Sequence, residues 1–169
     1  MAFESIAYSA QKSERYDVLL SQAAALMDGI THSIANLANV SALLYQGLED
    51  VNWCGFYLMD NGALMLGPFC GLPACIRISL GRGVCGCAAQ TATIQRVYDV
   101  HQFPGHIAWD SASNSEIVIP IHYDDKVIGV LDIDSPTVGR FDEIDQHNLE
   151  MLVRMIETGC DFSRCGYTP

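Results

Sequence analysis

Apolar residues recur at helical spacing in two early stretches, YDVLLSQAAALM and IANLANVSALLYQGL, and predict helices over residues 14–28 and 33–47. The period then changes. VNWCGFYLMD and ALMLGPF flank Asn61-Gly62, a dipeptide suited to the positive φ angles of a tight turn, so the two runs read as an antiparallel hairpin. ACIRISL predicts a third strand, GRGVCGCAAQT a glycine-rich loop entering a short helix over Val84–Thr91, and IQRVYDV a fourth strand. Beyond a long loop, EIVIPIHY and KVIGVLDID form a second antiparallel pair that turns near Asp124-Asp125. Leu149, Leu152, Val153, Ile156 and Cys160 then line one side of a closing helix that begins near Asp142. Helices at both ends of mostly antiparallel strands indicate an α+β fold. The helices are expected on one sheet face, with a ligand pocket under the long loop on the other.

Alternation along the first strand sends Cys54, Phe56 and Leu58 to one face and Trp53, Gly55 and Tyr57 to the other. The first set reads as core. The second fits either ordinary packing or an aromatic wall beside a gap left by glycine. On the last strand Ile128, Val130, Asp132 and Asp134 share a face, and Glu116 opens the preceding strand where it can join the two aspartates. Crowded, partly buried carboxylates have raised pKa values and can donate a proton to an oxygen at neutral pH. The plainer alternative is that Asp134 starts the turn DSP and the others are solvated.

Length and composition narrow the function classes. The 169 residues read as a single domain, with a core over about 14–160 and a tail at 161–169. A formal charge of −11, from 20 acidic against 9 basic residues, opposes binding to nucleic acid. The N-terminus lacks the basic and apolar regions of a leader, and no segment has the ~20 apolar residues of a membrane span, so the expected location is cytoplasmic. Of the seven cysteines in such a chain, most must be reduced core residues, metal ligands or redox groups. Their spacings do not match a zinc site, and no metal is expected. Cys85 follows Gly81, Arg82 and Gly83 at a helix start, where free amides and a guanidinium favour thiolate. The same amides suit a small carboxylate. Cys75 alone reads as a buried core thiol, and Cys70 and Cys87 as unreactive ones. PGHIAWDSASNSE, the long loop, carries the unexpected indole of Trp109 among small and polar residues.

Taken together, NWCGFYL, LGPF, PACIRI, GRGVCG, DVHQFPGHIA, DSASNSE and GVLDIDSP followed by GRFDE resemble the free methionine-(R)-sulfoxide reductases, which are single-domain GAF proteins. The likeness runs from about Ser33 to Ile156. It implies a pocket for free methionine sulfoxide in which Trp53 and Tyr57 form the wall around the sulfur and methyl group. Glu116, Asp132 and Asp134 then polarise or protonate the sulfoxide oxygen and bind the amino end. In the family a cysteine attacks the sulfoxide sulfur and becomes a sulfenic acid, and a second cysteine closes a disulfide that thioredoxin reopens with electrons from NADPH. No bound cofactor is implied. Cys75 matches the resolving cysteine and Cys85 the further redox cysteine.

The attacking cysteine of the resemblance belongs at position 109, where this chain has tryptophan. Cys70 and Cys87 also depart from the glutamine-like and threonine-like residues expected there. Two functions follow: a thioredoxin-dependent reductase impaired at its nucleophile, or a GAF domain that binds or senses a small molecule without turnover. Free methionine or its sulfoxide is the expected ligand of the first, the second retains or repurposes that pocket, and the terminal helices offer a surface for a homodimer.

Overall fold

The computed structural model describes residues 7–105 and 112–163. Along them run helices α1 (Lys12–Met27) and α2 (Ser33–Gly47), then strands β1 (Trp53–Asp60), β2 (Ala63–Gly71) and β3 (Arg77–Ser79). Helix α3 (Gly83–Thr91), strand β4 (Gln95–Val97) and a 3-10 turn at Val100–Gln102 follow, before β5 (Ser115–Tyr123), β6 (Lys126–Ser135) and α4 (Glu143–Gly159). None of the described helices is long and apolar enough to cross a membrane.

Both hairpins turn where the sequence places them. Asn61 and Gly62 have φ of 48° and 75°, and Asp124 and Asp125 have φ of 50° and 59°, the left-handed pairs that match strand twist. The six strands form one sheet in the order β3-β2-β1-β6-β5-β4, with every neighbouring pair antiparallel. The predicted third and fourth strands are shorter than their apolar runs, three residues each, because they pair only at the sheet edges.

Cys54, Phe56 and Leu58 of β1 bury themselves with Leu19 and Ala23 of α1, Leu37 and Val40 of α2, and Leu149, Leu152 and Ile156 of α4. Full burial of each large side chain contributes roughly 1.5–3 kcal/mol. On the opposite face Trp53, Tyr57, Met59, Val118 and Val130 pack with Val84, Cys85 and Ala88 of α3. Ile128 corrects the expected alternation. Ile121 pairs with Gly129 but His122 with Val127, so β6 carries an extra residue and Ile128 turns into the helix-side core.

The outer helices are tied together through Asp145, which is fully buried. It accepts from Tyr16 Oη at 2.8 Å, Lys12 Nζ at 2.7 Å and Arg140 Nη1 at 3.0 Å, joining α1 to the start of α4. Asp142 and Asp145 form a capping box that fixes where α4 begins.

Candidate active site

Trp53 and Tyr57 emerge from β1 on the face away from the terminal helices and are 4% and 3% exposed. The indole stacks on Phe69 at 5.3 Å and on Tyr57 at 5.9 Å, and its Nε1 donates to the Leu72 carbonyl at 3.1 Å. That bond uses the one polar atom of the ring and leaves the wall apolar. Of the two readings of Gly55, a gap or ordinary packing, the structure has packing. A Cβ there would stand 2.3 Å from Phe69 Cβ and 2.8 Å from Trp53 Cη2, so glycine is what lets Phe69 back the indole.

The sheet register brings the acids to this wall. β6 pairs with β1 so that Trp53 faces Asp134 and Gly55 faces Asp132, while Glu116 of β5 faces Asp134 from the other side. Trp53, Tyr57, Glu116, Asp132, Asp134 and Cys85 all line one cleft. The pocket expected on the face opposite the terminal helices is there.

Glu116 and Asp132 are buried, and Cys85 Sγ lies 3.8 Å from Glu116 Oε1. Burial, followed by the charges of Asp132 and Asp134, pushes the Glu116 carboxyl well above its ordinary range. Burial also raises Asp132, to about 6, against hydrogen bonds from Cys85 and Glu116 that favour its charged form. Burial thus pushes both carboxyls of the pair toward their protonated forms, and the two titrate together. Burial and then the charge of Asp132 raise the neighbouring Tyr57 hydroxyl as well.

Cys85 departs from its expected thiolate character. It sits in the first turn of α3, but burial and the charges of Asp132 and Glu116 push its thiol well above the usual value. Helix amides favour an anion by at most ~1–2 kcal/mol, whereas desolvation and two facing carboxyls oppose it more strongly. The group is a proton-bearing thiol beside a proton-bearing acid. One donor atom each from Cys85, Glu116 and Asp132 lies within 4.8 Å of the others, making them a set that could hold a metal ion. Cysteine spacing gave no sign of it, since the three come from α3, β5 and β6.

Cys75 is half-buried beside the cleft, its thiol donating to the Arg77 carbonyl at 3.1 Å. Trp109 lies outside the described residues. Sequence reasoning missed much of the rim, where Leu72, Pro73, Ile78, Val84 and Ser113 join the lining; Arg82, already singled out beside Cys85, brings a guanidinium to it. Leu72 and Pro73 follow β2 in a segment whose apolar character carries no period. Ser113 is legible only through its partner, accepting from Asn52 Nδ2 at 3.0 Å.

Comparison with known proteins places this architecture. Residues 22–159 match the GAF domain family. Protein YtsP of Bacillus subtilis is 54% identical over 151 residues, covering 88% of this chain and 93% of the relative. The free methionine-R-sulfoxide reductase of Escherichia coli is 53% identical over 146 residues, covering 86% and 88%. The X-ray structure of free methionine-R-sulfoxide reductase from Neisseria meningitidis in complex with its substrate superposes with a TM-score of 0.87 at 41% identity, covering 92% of this chain and 95% of that one. The chain belongs to the GAF-domain family, within its free methionine-(R)-sulfoxide reductase group.

Proposed function

We propose that the chain binds free methionine-(R)-sulfoxide in this cleft and reduces it to methionine by thiol chemistry, at a rate held down by Trp109. The observation that carries the reading is the buried Glu116, Asp132 and Cys85 group set beside the Trp53 and Tyr57 wall. Aromatic rings suit the sulfur and methyl group. Arg82 at the rim suits the substrate carboxylate, and Asp134 its ammonium group.

Glu116 donates its proton to the sulfoxide oxygen as a thiol attacks the sulfur. The oxygen passes to the thiol, the sulfur–oxygen bond of the substrate breaks, the thiol's own proton returns to Glu116, and methionine leaves while the protein keeps a sulfenic acid. Cys85 is the thiol nearest the carboxyls. Cys75 displaces water from the sulfenic acid to close a disulfide, and thioredoxin, itself reduced by NADPH, reopens it. Tryptophan at 109 cannot accept oxygen in this way, so the step falls to a thiol whose raised pKa makes it a weak nucleophile. The same tryptophan favours a second reading, in which the chain binds methionine or its sulfoxide without turnover.

A thioredoxin-coupled assay of NADPH oxidation with each sulfoxide epimer separates the two. Turnover confined to the R epimer supports reduction. Thermal stabilisation by methionine or its sulfoxide with no NADPH consumed supports binding alone, and absence of both effects overturns both readings.

A further inference from the structure

Cys54 and Cys70 are direct cross-strand partners in the β1–β2 ladder. Opposed residues of an antiparallel pair have Cα atoms about 4.5–5.5 Å apart, inside the roughly 4.4–6.8 Å range that a disulfide spans. Both side chains lie on the same side of the sheet. Cys54 is in the helix-side core, and the next residue along β2 from Cys70, Phe69, points the other way to stack on Trp53. Both thiols are free. Neither belongs to the cleft.

We propose that Cys54 and Cys70 form a second dithiol site, which a hydroperoxide converts to a cross-strand disulfide independently of the cleft chemistry. Cys70 is the entry point because it is half-buried, whereas Cys54 is fully enclosed. The Cys70 sulfur attacks the terminal peroxide oxygen, the oxygen–oxygen bond breaks, and hydroxide leaves to take a proton as water. The resulting sulfenic acid is then attacked by Cys54 Sγ. The sulfur–oxygen bond breaks, and the hydroxyl departs with the Cys54 proton as a second water. Two thiols and one hydrogen peroxide give one disulfide and two waters.

Alternative partners are less well placed. Cys75 packs against the cleft-side cluster and donates to the Arg77 carbonyl, across the sheet from Cys70. Cys87 is on α3, with its thiol directed to the Gly81 carbonyl. The consequence reaches the cleft mechanically. Trp53 adjoins Cys54, and Gly71 and Leu72, the two residues after Cys70, are those against which the indole rests. A bond between the two sulfurs would staple the strand ends behind that indole.

The test uses the full chain, reduced and freed of reductant, then treated with stoichiometric hydrogen peroxide. Remaining thiols are alkylated under denaturing conditions, and the non-reduced digest is mapped by mass. The expected product is a cross-linked peptide pair holding residues 54 and 70, lighter by two hydrogens. Tm should rise by roughly 6–10 °C, and dithiothreitol should reverse the rise. Cys70→Ser and Cys70→Ala, with native circular dichroism, should lose both the cross-link and the rise. A map in which Cys54 is still alkylated after treatment, or in which Cys70 is joined to Cys75, Cys85 or Cys87 or oxidised beyond sulfenic acid, overturns the proposal. No sulfoxide enters the experiment, so its outcome is separate from that of the reductase assay.

Discussion

Cys85 Sγ stands 3.8 Å from Glu116 Oε1, and both groups are buried. A helix-start position that favours an anion has been overridden by its neighbours, with Asp132 the largest charge acting on the thiol after burial itself. Asp132→Asn removes that charge and should increase the rate at which Cys85 is alkylated by iodoacetamide at pH 8 about tenfold, the effect of one pKa unit. Peptide-resolved mass spectrometry reads the rate. An unchanged rate would mean that access alone controls this thiol.

Asp132 also links pH to stability. Its folded value of about 6 exceeds the roughly 3.9 of an unfolded aspartate, so the native state binds the proton more tightly. This contribution is complete below about pH 4 and is lost as pH rises through about 6, a difference of at most about 3 kcal/mol. Asp132→Asn should therefore gain Tm relative to wild type by several degrees between pH 4 and pH 7. Asp142 works in a separate window. Its partial burial is outweighed by Lys12 and by backbone donors, which hold it at about 2, so its contribution is lost only below about pH 4. Parallel Tm curves for the two proteins from pH 4 to 7 would sink the assignment.

If position 109 lacks only a nucleophile, Trp109→Cys should raise turnover by several orders of magnitude, since no orienting or electrostatic effect substitutes for the atom that forms the bond. If the protein has adapted to the indole, the substitution should instead cost roughly 3 kcal/mol of stability and leave activity flat. Paired Tm and coupled-assay measurements distinguish these results. A wild type already turning over at the mutant's rate would assign the chemistry to another cysteine.

Gly55→Ala should destabilise the fold by about 3 kcal/mol. Its Cβ would stand 2.3 Å from Phe69 Cβ and 2.8 Å from the Phe69 Cα, and backbone on the paired strand cannot swing aside as a side-chain tip can. The denaturant midpoint reports the loss. A change below about 0.5 kcal/mol would show that β2 yields easily at its irregular register between Gly55 and Tyr57.

Much of this site was legible because a strand alternates. Trp53 and Tyr57 on one face of β1, and Asp132 and Asp134 on one face of β6, follow from spacing alone. The resemblance named the same residues. Ile128 failed because an inserted residue reverses alternation without leaving a mark in composition. The pKa of Cys85 failed for a different reason: its local helix position was correctly read, but the two carboxyls that control it arrive from strands 31 and 47 residues later, at Glu116 and Asp132. The two readings of the space beside Gly55 could not be separated from β1 alone, because Phe69, which fills it, belongs to the other strand of the hairpin.

The β1–β6 pairing also sets an order of events as the chain folds. Each hairpin, β1 with β2 and β5 with β6, can close from nearby sequence, but joining them requires Trp53 to meet Asp134 across some eighty residues. Among the strand pairings of the sheet that seam carries the highest loop-closure cost, which favours its closing after the two hairpins. The aromatic wall lies on one side of it and the carboxyls on the other. Without the seam the cleft is not enclosed, so any molecule held there would favour the fully zipped sheet.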